Sequence, residues 1–350
     1  MKYTLIFISF LVIFCRCNSN SYESKYEENI PVTSIHHLQS ETLNDSFLFS
    51  WPRDIIIIDS LLVVHDSYKQ SNCFHIFNKN TGIHIQSFGK KGRGPGELLE
   101  INSVNYKHDG RSIIAFDPNM RKIIIFDIIN TLTGIKPDFK ELIVENSPNF
   151  IKQMLPYRDM YIAKGNSDKM RYGMWDPAQN LFFNLYTDYP ALSKDEETNW
   201  ALTDYSVKVR LSPNGQKLVT GTYIGGVLEV FNVDDGHIIP FSSRYFFKPR
   251  YTYARGAIPK WVTAVAETKI GFEDIFLDNE YIYGLIWGIE KSSMTEHRPY
   301  IVQFDYRGTP ICRYEVSLTL ESFAVDDDNT IYAIGYDDGK YSLNKYANIN

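Results

Sequence analysis

Along most of this chain, apolar residues come in runs of a few positions, cut by Asp, Asn, Gly or Pro. Ile55 to Ile58 end at Asp59. Leu61 to Val64 follow, then Phe74-His75-Ile76-Phe77, a turn at Asn80-Thr81-Gly82, and a last run closing at Phe88. Runs this short, bounded by turn residues, predict β-strands rather than helices. The scheme returns at residues 112–134, where Ile113-Ile114-Ala115-Phe116-Asp117 precedes Pro118-Asn119 and Lys122 to Asp127. A weaker copy covers 157–186. Clearer ones cover 209–241, 274–316 and 323–346. The anchors Asp59, Asp117, Asp159, Pro213, Asp278 and Asp326 lie on average about 53 residues apart, within the range of propeller blades. Asp, Asn and Gly suit such turns because they tolerate left-handed backbone angles and bond their own turn amides.

Six repeats of four strands fit the length. One unit cannot bury both faces alone, so the units must stack around an axis. The expected fold is all-β: a six-bladed β-propeller of four-stranded antiparallel blades, closed by an N-terminal strand. The sixth unit stops after three strands, so the missing outer strand is expected from residues 30–38, with 46–51 as a further candidate, which would hide the sheet edges. A pair of β-sandwiches is the competing fold, but no Pro/Ser-rich linker divides the chain. Residues 193–205 alone have helical potential and read as a loop insertion.

The first residues follow another rule. Lys2 precedes an apolar run over residues 5–14, interrupted only by Ser9, and Cys15, Cys17 and a polar stretch follow. Ten apolar residues are too few to span a bilayer but suit a signal peptide. A cysteine at the cleavage point resembles the lipobox of bacterial lipoproteins. Cys17 is the preferred acylation site over Cys15, because the polar tether starts just after it, although Arg16 is unusual there. An ordinary secretory signal is the alternative. The expected organisation is a lipoprotein signal at 1–17, a tether at 18–29 and a propeller at 30–350, anchored to the outer membrane on its periplasmic or surface face. Membrane contact is expected through the lipid only.

Composition sharpens this picture. The 24 Tyr and 22 Phe favour half-buried sheets. The net charge of −6 argues against nucleic acid, which requires a basic footprint. Cys73 and Cys312 fall in different repeats and are expected as free buried thiols.

The block Phe88-Gly89-Lys90-Lys91-Gly92-Arg93-Gly94-Pro95-Gly96-Glu97 resembles the Gly-x-Gly-Pro-Gly-Glu signature of six-bladed propeller lipoproteins of Bacteroides-type bacteria. Gly271-Phe272-Glu273-Asp274-Ile275, Tyr281-Ile282-Tyr283, Phe304-Asp305-Tyr306-Arg307-Gly308 and Phe323-Ala324-Val325-Asp326 are similar to the TolB-like group of that class. The resemblance implies fold and export, and brings no catalytic residues with it.

Candidate sites follow from residue chemistry. The glycine block could form an anion-binding nest with Lys90, Lys91 and Arg93, or a blade-to-blade connection tied by Arg93 or Glu97. It lacks the Gly-Lys-Ser/Thr of a P-loop. Asp59, Asp117, Asp278 and Asp326 could line the channel and hold a cation, or simply cap hairpins. His75 and His84 could meet on paired strands, but a zinc site needs a third ligand. Tyr245, Phe246, Phe247, Tyr251, Tyr253 and Trp261, interleaved with Lys248, Arg250 and Arg255, could stack a sugar or peptide, with Trp175, Trp200 and Trp287 on loops adding to it. Arg93, Glu97, Arg250, Tyr251 and Trp261 are thus the ligand-binding candidates. No metal and no cofactor are expected, and a monomer is. The expected role is a binding or scaffold module for a protein or glycan ligand. The alternative is a hydrolase or lyase working at the axial channel.

Overall fold

The computed structural model describes residues 25–67, 71–134, 136–148, 150–204, 208–253 and 261–347. Cys15, Cys17 and Arg255, with the signal segment, lie outside them. Two strands, β1 (Ser34–Leu38) and β2 (Ser40–Asn44), precede the first blade. Blade 1 holds β3 (Pro52–Ile58), β4 (Leu61–Asp66), β5 (Asn72–Asn78) and β6 (His84–Lys90). Blade 2 holds β7 (Ser103–Tyr106), β8 (Ser112–Asp117), β9 (Lys122–Asp127) and β10 (Asp138–Ile143), with helix α1 (Ile128–Thr133) before its last strand. Blade 3 holds β11 (Ile151–Tyr157), β12 (Met160–Ser167), β13 (Met170–Asp176) and β14 (Leu181–Tyr186). Helix α2 (Glu196–Asp204) leads to blade 4, with β15 (Lys208–Leu211), β16 (Lys217–Gly221), β17 (Val227–Asp234) and β18 (His237–Tyr245). A small hairpin, β19 (Tyr251–Tyr253) with β20 (Val262–Ala264), comes next. Blade 5 holds β21 (Phe272–Leu277), β22 (Tyr281–Ile286), β23 (Tyr300–Asp305) and β24 (Pro310–Val316). Blade 6 holds β25 (Thr319–Val325), β26 (Ile331–Asp337) and β27 (Lys340–Tyr346).

Each blade is a meander, and the first strands of neighbouring blades touch in sequence around the ring, β25 meeting β3 to close it. The apolar runs bury themselves in the clefts between blades. Phe74, Phe88 and Phe126 fill the cleft between blades 1 and 2. Phe116, Met154 and Trp175 fill the next one, then Tyr157, Tyr172 and Phe231, then Phe246, Phe272 and Phe304. Tyr283, Phe323 and Tyr346 pack between blades 5 and 6, and Phe77, Ala324 and Leu343 between blades 6 and 1. Aromatic rings suit these wedges, because one side chain buries 150–250 Å² (roughly) against both sheets. The cleft between blades 3 and 4 also holds a buried pair, Arg171 Nη1 donating to Glu229 Oε1 at 3.2 Å.

The ring closes on blade 6, where β2 pairs antiparallel with β27 as the fourth strand. This corrects the sequence expectation for the closing segment. Residues 34–38 instead add a fifth, parallel strand to β24 of blade 5, and Phe47 and Phe49 pack on His75 and Phe77 of blade 1. An outermost strand is largely solvated, so Ser-Glu-Thr-Leu-Asn needs little apolar character, and the more apolar neighbouring segments drew the reading. Two further placements differ from expectation. Trp175 lies in β13, fully buried, and Trp200 lies in α2, so neither is a loop residue. Cys73 and Cys312 are free and buried.

Candidate functional site

Each first strand runs from the face carrying the blade-to-blade connections, called upper here, to the face carrying the first hairpins. Register places Asp54, Ser103, Gln153, Lys208, Asp274 and Ser322 at equivalent positions, paired with His65, Phe116, Lys164, Gly221, Leu285 and Ile334. They form a polar waist in the axial channel. Arg210, two residues below Lys208 on the same side of its strand, reaches both carboxylates: its Nη2 lies 3.1 Å from Asp54 Oδ1 and 3.1 Å from Asp274 Oδ1. Lys208 Nζ stands 3.9 and 3.7 Å from the same two oxygens. Ser322 donates to Asp274 at 2.6 Å, and His65 Nδ1 lies 3.1 Å from Asp54 Oδ2. Burial alone would raise the Asp54 carboxyl. Lys208, the His65 hydrogen bond and Arg210 outweigh it and hold the group well below the usual carboxylate range. Two carboxylates against two cations leave the waist neutral.

Just above the waist, four first strands carry a bulge at the same place, leaving Arg53, Lys152, Glu273 and Glu321 outside the ladder. Bulges re-aim side chains, and all four of these are charged. Burial pushes the Glu273 carboxyl up and the Glu321 carboxylate adds to it, against Lys208 and the Trp287 indole, which donates to Glu273 Oε2 at 3.2 Å. Burial raises Glu321 as well, opposed by Arg53 and Lys208.

Two cavities meet at Asp54 and Arg210. The lower one has about 1210 Å³ and is lined by first-strand ends and hairpin turns, including Asp59, Tyr106, His108, Tyr157, Arg158, Asn214, Asn279 and Asp326. Asp59, His108, Arg158 and Asn329 on this rim have φ of 52°, 57°, 52° and 63°, left-handed angles that non-glycine residues seldom adopt. Lys79 meets Asp326 at 2.5 Å. Deeper, the Gln303 amide receives bonds from Cys312 Sγ at 3.1 Å and the Tyr314 hydroxyl at 3.3 Å and donates to the Tyr283 hydroxyl at 3.2 Å. The upper cavity, about 410 Å³, is lined by Trp51, Arg53, His65, Lys91, Glu100 and Gln153 among others.

The sequence candidates fall in separate places. The glycine block is the connection from blade 1 to blade 2. Glu97 folds back so that Oε2 accepts the Gly94 N–H at 2.8 Å, and Gly96 N–H donates to Glu141 Oε1 at 2.6 Å. Lys122, buried in blade 2, donates to the Glu97 carbonyl at 2.7 Å and to Glu141 at 3.0 Å. A Cβ on Gly92 would stand 2.1 Å from Glu97 Oε2, and Gly96, with φ of 72°, lies against the Phe139 ring. Gly92 and Gly94 are there because the Glu97 carboxylate occupies the space. Arg93 is exposed and is not one of these ties.

Arg250, Tyr251 and Trp261 stand on the same face but above blades 3 to 5, on the far side from Arg93. The Tyr251 hydroxyl donates to Ser193 Oγ at 3.2 Å, Arg250 is exposed, and Trp261 is exposed under Lys152 Nζ at 5.7 Å. With α2 they cap a cluster of Leu202, Ile224, Val262 and Ile270. Asp59, Asp278 and Asp326 line the lower cavity. Asp117 does not. It lies buried at the upper end of β8, where its carboxylate accepts the Leu99 N–H at 2.6 Å and the Asn119 N–H at 2.9 Å. His75 and His84 do meet, their ring centroids 6.2 Å apart. Both reach the Ser87 hydroxyl, at 2.7 and 2.9 Å, and burial lowers His75 to about 4. Among the described residues no three His, Cys, Asp or Glu side chains gather as a metal would need. The waist and its bulges leave one signal in the sequence, the repeated pattern of Pro-Arg-Asp-Ile at 52–55 and Phe-Glu-Asp-Ile at 272–275.

Known proteins match this geometry as a fold. A protein of Bacteroides fragilis described as exported superposes with a TM-score of 0.54 at 13% identity, over 89% of this chain and 99% of that one. A member of the DUF4221 family from Bacteroides vulgatus gives 0.58 at 11% identity, over 91% and 98%. No curated protein sequence matches the chain. The profile of TolB-like 6-blade propeller-like proteins matches residues 31–328, from before β1 to beyond the last first strand, and the chain therefore belongs to the TolB-like six-bladed propeller family.

Proposed function

We propose that the chain is an exported, lipid-anchored binding module that acts as a monomer and holds its ligand in the lower mouth of the axial channel. The observation that carries this reading is the 1210 Å³ cavity itself. It is larger than the usual range for small-molecule sites, about 300–1,000 Å³, so it suits a glycan or a peptide segment. The charge-neutral cluster of Asp54, Asp274, Lys208 and Arg210 lies at its inner end. Tyr106, Tyr157, Asn214 and Asn279 on its walls offer ring faces and paired donors and acceptors, the groups that recognise hydroxyls and amides. The signal pattern at residues 1–17 and the exported Bacteroides fragilis relative support export.

Two measurements test this. Immobilised oligosaccharides and peptides are screened against the chain, and Tyr106→Ala with Asn214→Ala should abolish saturable binding; binding that survives the pair places the ligand elsewhere. Labelled palmitate should enter the wild type and Cys15→Ser but not Cys17→Ser, and label in Cys17→Ser rejects that anchor. A hydrolase or lyase reading draws on one observation, the paired raised carboxyls of Glu273 and Glu321. It requires turnover of a bound glycan that Glu273→Gln removes.

A further inference from the structure

The upper cavity differs in kind from the lower one, because it is lined by a buried side chain with an unpartnered nitrogen, His65, and by Arg53, which is partly exposed. His65 is buried, and its Nδ1 faces the ionised Asp54 carboxylate. A carboxylate only accepts, so Nδ1 donates to it and Nε2 is the ring nitrogen left over. That atom is buried with no hydrogen-bond partner among the described residues, an arrangement that costs folding free energy. Arg53 stands on its bulge over the Trp51 ring at 5.1 Å. No ion pair or hydrogen bond engages its guanidinium among the described residues, although Glu273 and Glu321 lie near enough to feel its charge. Lys91 beside it donates to the Ser67 carbonyl at 3.3 Å, its one side-chain bond among the described residues. The remaining charges on this wall are already committed. Asp54 answers His65, Lys208 and Arg210, and Glu100 accepts from the Asn119 amide at 2.6 Å.

We propose that this cavity is a second ligand site, which takes a small hydroxylated carboxylate of the uronic-acid type. Arg53 and Lys91 hold the carboxylate through charge-assisted bonds, His65 Nε2 accepts one ligand hydroxyl, and Trp51 offers a ring face to the sugar's C–H side. Its volume of about 410 Å³ suits one sugar-sized group rather than an extended chain. Glu273 and Glu321 do not line this cavity, but both feel the charge of Arg53, and burial pushes both carboxyls up.

The test is calorimetric titration of the full chain with glucuronate, glucose and inorganic phosphate, with the His65 ring signals followed by NMR. Glucuronate should bind saturably and shift the His65 resonances, and glucose and phosphate should each bind at least about tenfold more weakly, a difference of about 1.4 kcal/mol. Arg53→Gln should erase the preference of glucuronate over glucose, Lys91→Gln should weaken glucuronate about threefold, and Arg93→Gln should change nothing. His65→Asn should lose the hydroxyl contact; if that variant does not fold, Arg53→Gln decides alone. Absence of saturable glucuronate binding overturns the proposal, as does binding that both Arg53→Gln and Lys91→Gln leave intact. Phosphate binding as tightly as glucuronate reduces the site to a basic patch and overturns it too.

Discussion

The blade 1–2 connection and the channel waist both gather charged side chains, and they use them in opposite ways. In the connection, Glu97, Glu141 and Lys122 are spent on backbone groups of one short loop, within 45 residues of one another. At the waist, Asp54 and Arg210 meet across 156 residues, from blades on different sides of the ring. A local tie demands particular residue types at fixed spacing, because a glycine is the only residue that leaves room for the carboxylate. A tie across the ring demands only that each blade keep its register. The first writes a motif into the sequence and the second does not.

That contrast can be broken experimentally, beginning at the waist. Arg210→Met leaves two carboxylates to share Lys208 alone as a cation and should lower stability by about 3 kcal/mol, read as a shift in urea midpoint. Adding Asp274→Asn should restore part of it, and full additivity of the two would mean they do not interact. In the connection, Gly92→Ala should cost about 1–2 kcal/mol by displacing Glu97 from the Gly94 amide, and should cost almost nothing in a Glu97→Ala background.

A smaller effect separates the two layers of the channel by pH. Asp54 is depressed in the fold, so its contribution is complete above the ordinary aspartate value and is lost as pH falls below it. Glu273 and Glu321 are raised, so the fold retains protons that the unfolded chain releases, and stability falls as pH rises past the ordinary glutamate value. Replacing both with Gln should therefore raise the unfolding midpoint at pH 7 and leave it unchanged near pH 4. Asp54→Asn should do the reverse at pH 7. The smallest effect is at Arg93, where Gln should change stability by less than about 0.5 kcal/mol. A larger loss would return Arg93 to the set of ties.

What the sequence revealed follows from the same physics. The middle strands of each blade are buried on both faces and read as apolar runs, so Ile113 to Phe116 and Ile123 to Phe126 were plain. Their flanking partners were not. Ser-Val-Asn-Tyr at 103–106 is short and half polar, and Asp138–Ile143 is an outer strand that faces solvent. The closing strand was misplaced for that reason. Asp117 looked like its fellows Asp59 and Asp278 in sequence, yet it ends a second strand rather than a first, and so caps backbone amides on the other face. The waist is faint in the sequence because only Asp54 and Asp274 share a local pattern, a charged residue then Asp-Ile, while Lys208 shares nothing with them but its distance from a hairpin.

Before it closes the ring, the chain runs like a belt around the outside. Glu27 clasps Arg244 of blade 4 with two bonds at 2.7 and 2.8 Å, Thr33 bonds the Ile311 carbonyl of blade 5, β1 follows β24, and β2 then enters blade 6. Tension applied at the N-terminal end meets these fasteners one after another, and the closing strand comes last. A propeller hung from its own beginning would shed its straps well before its ring opened.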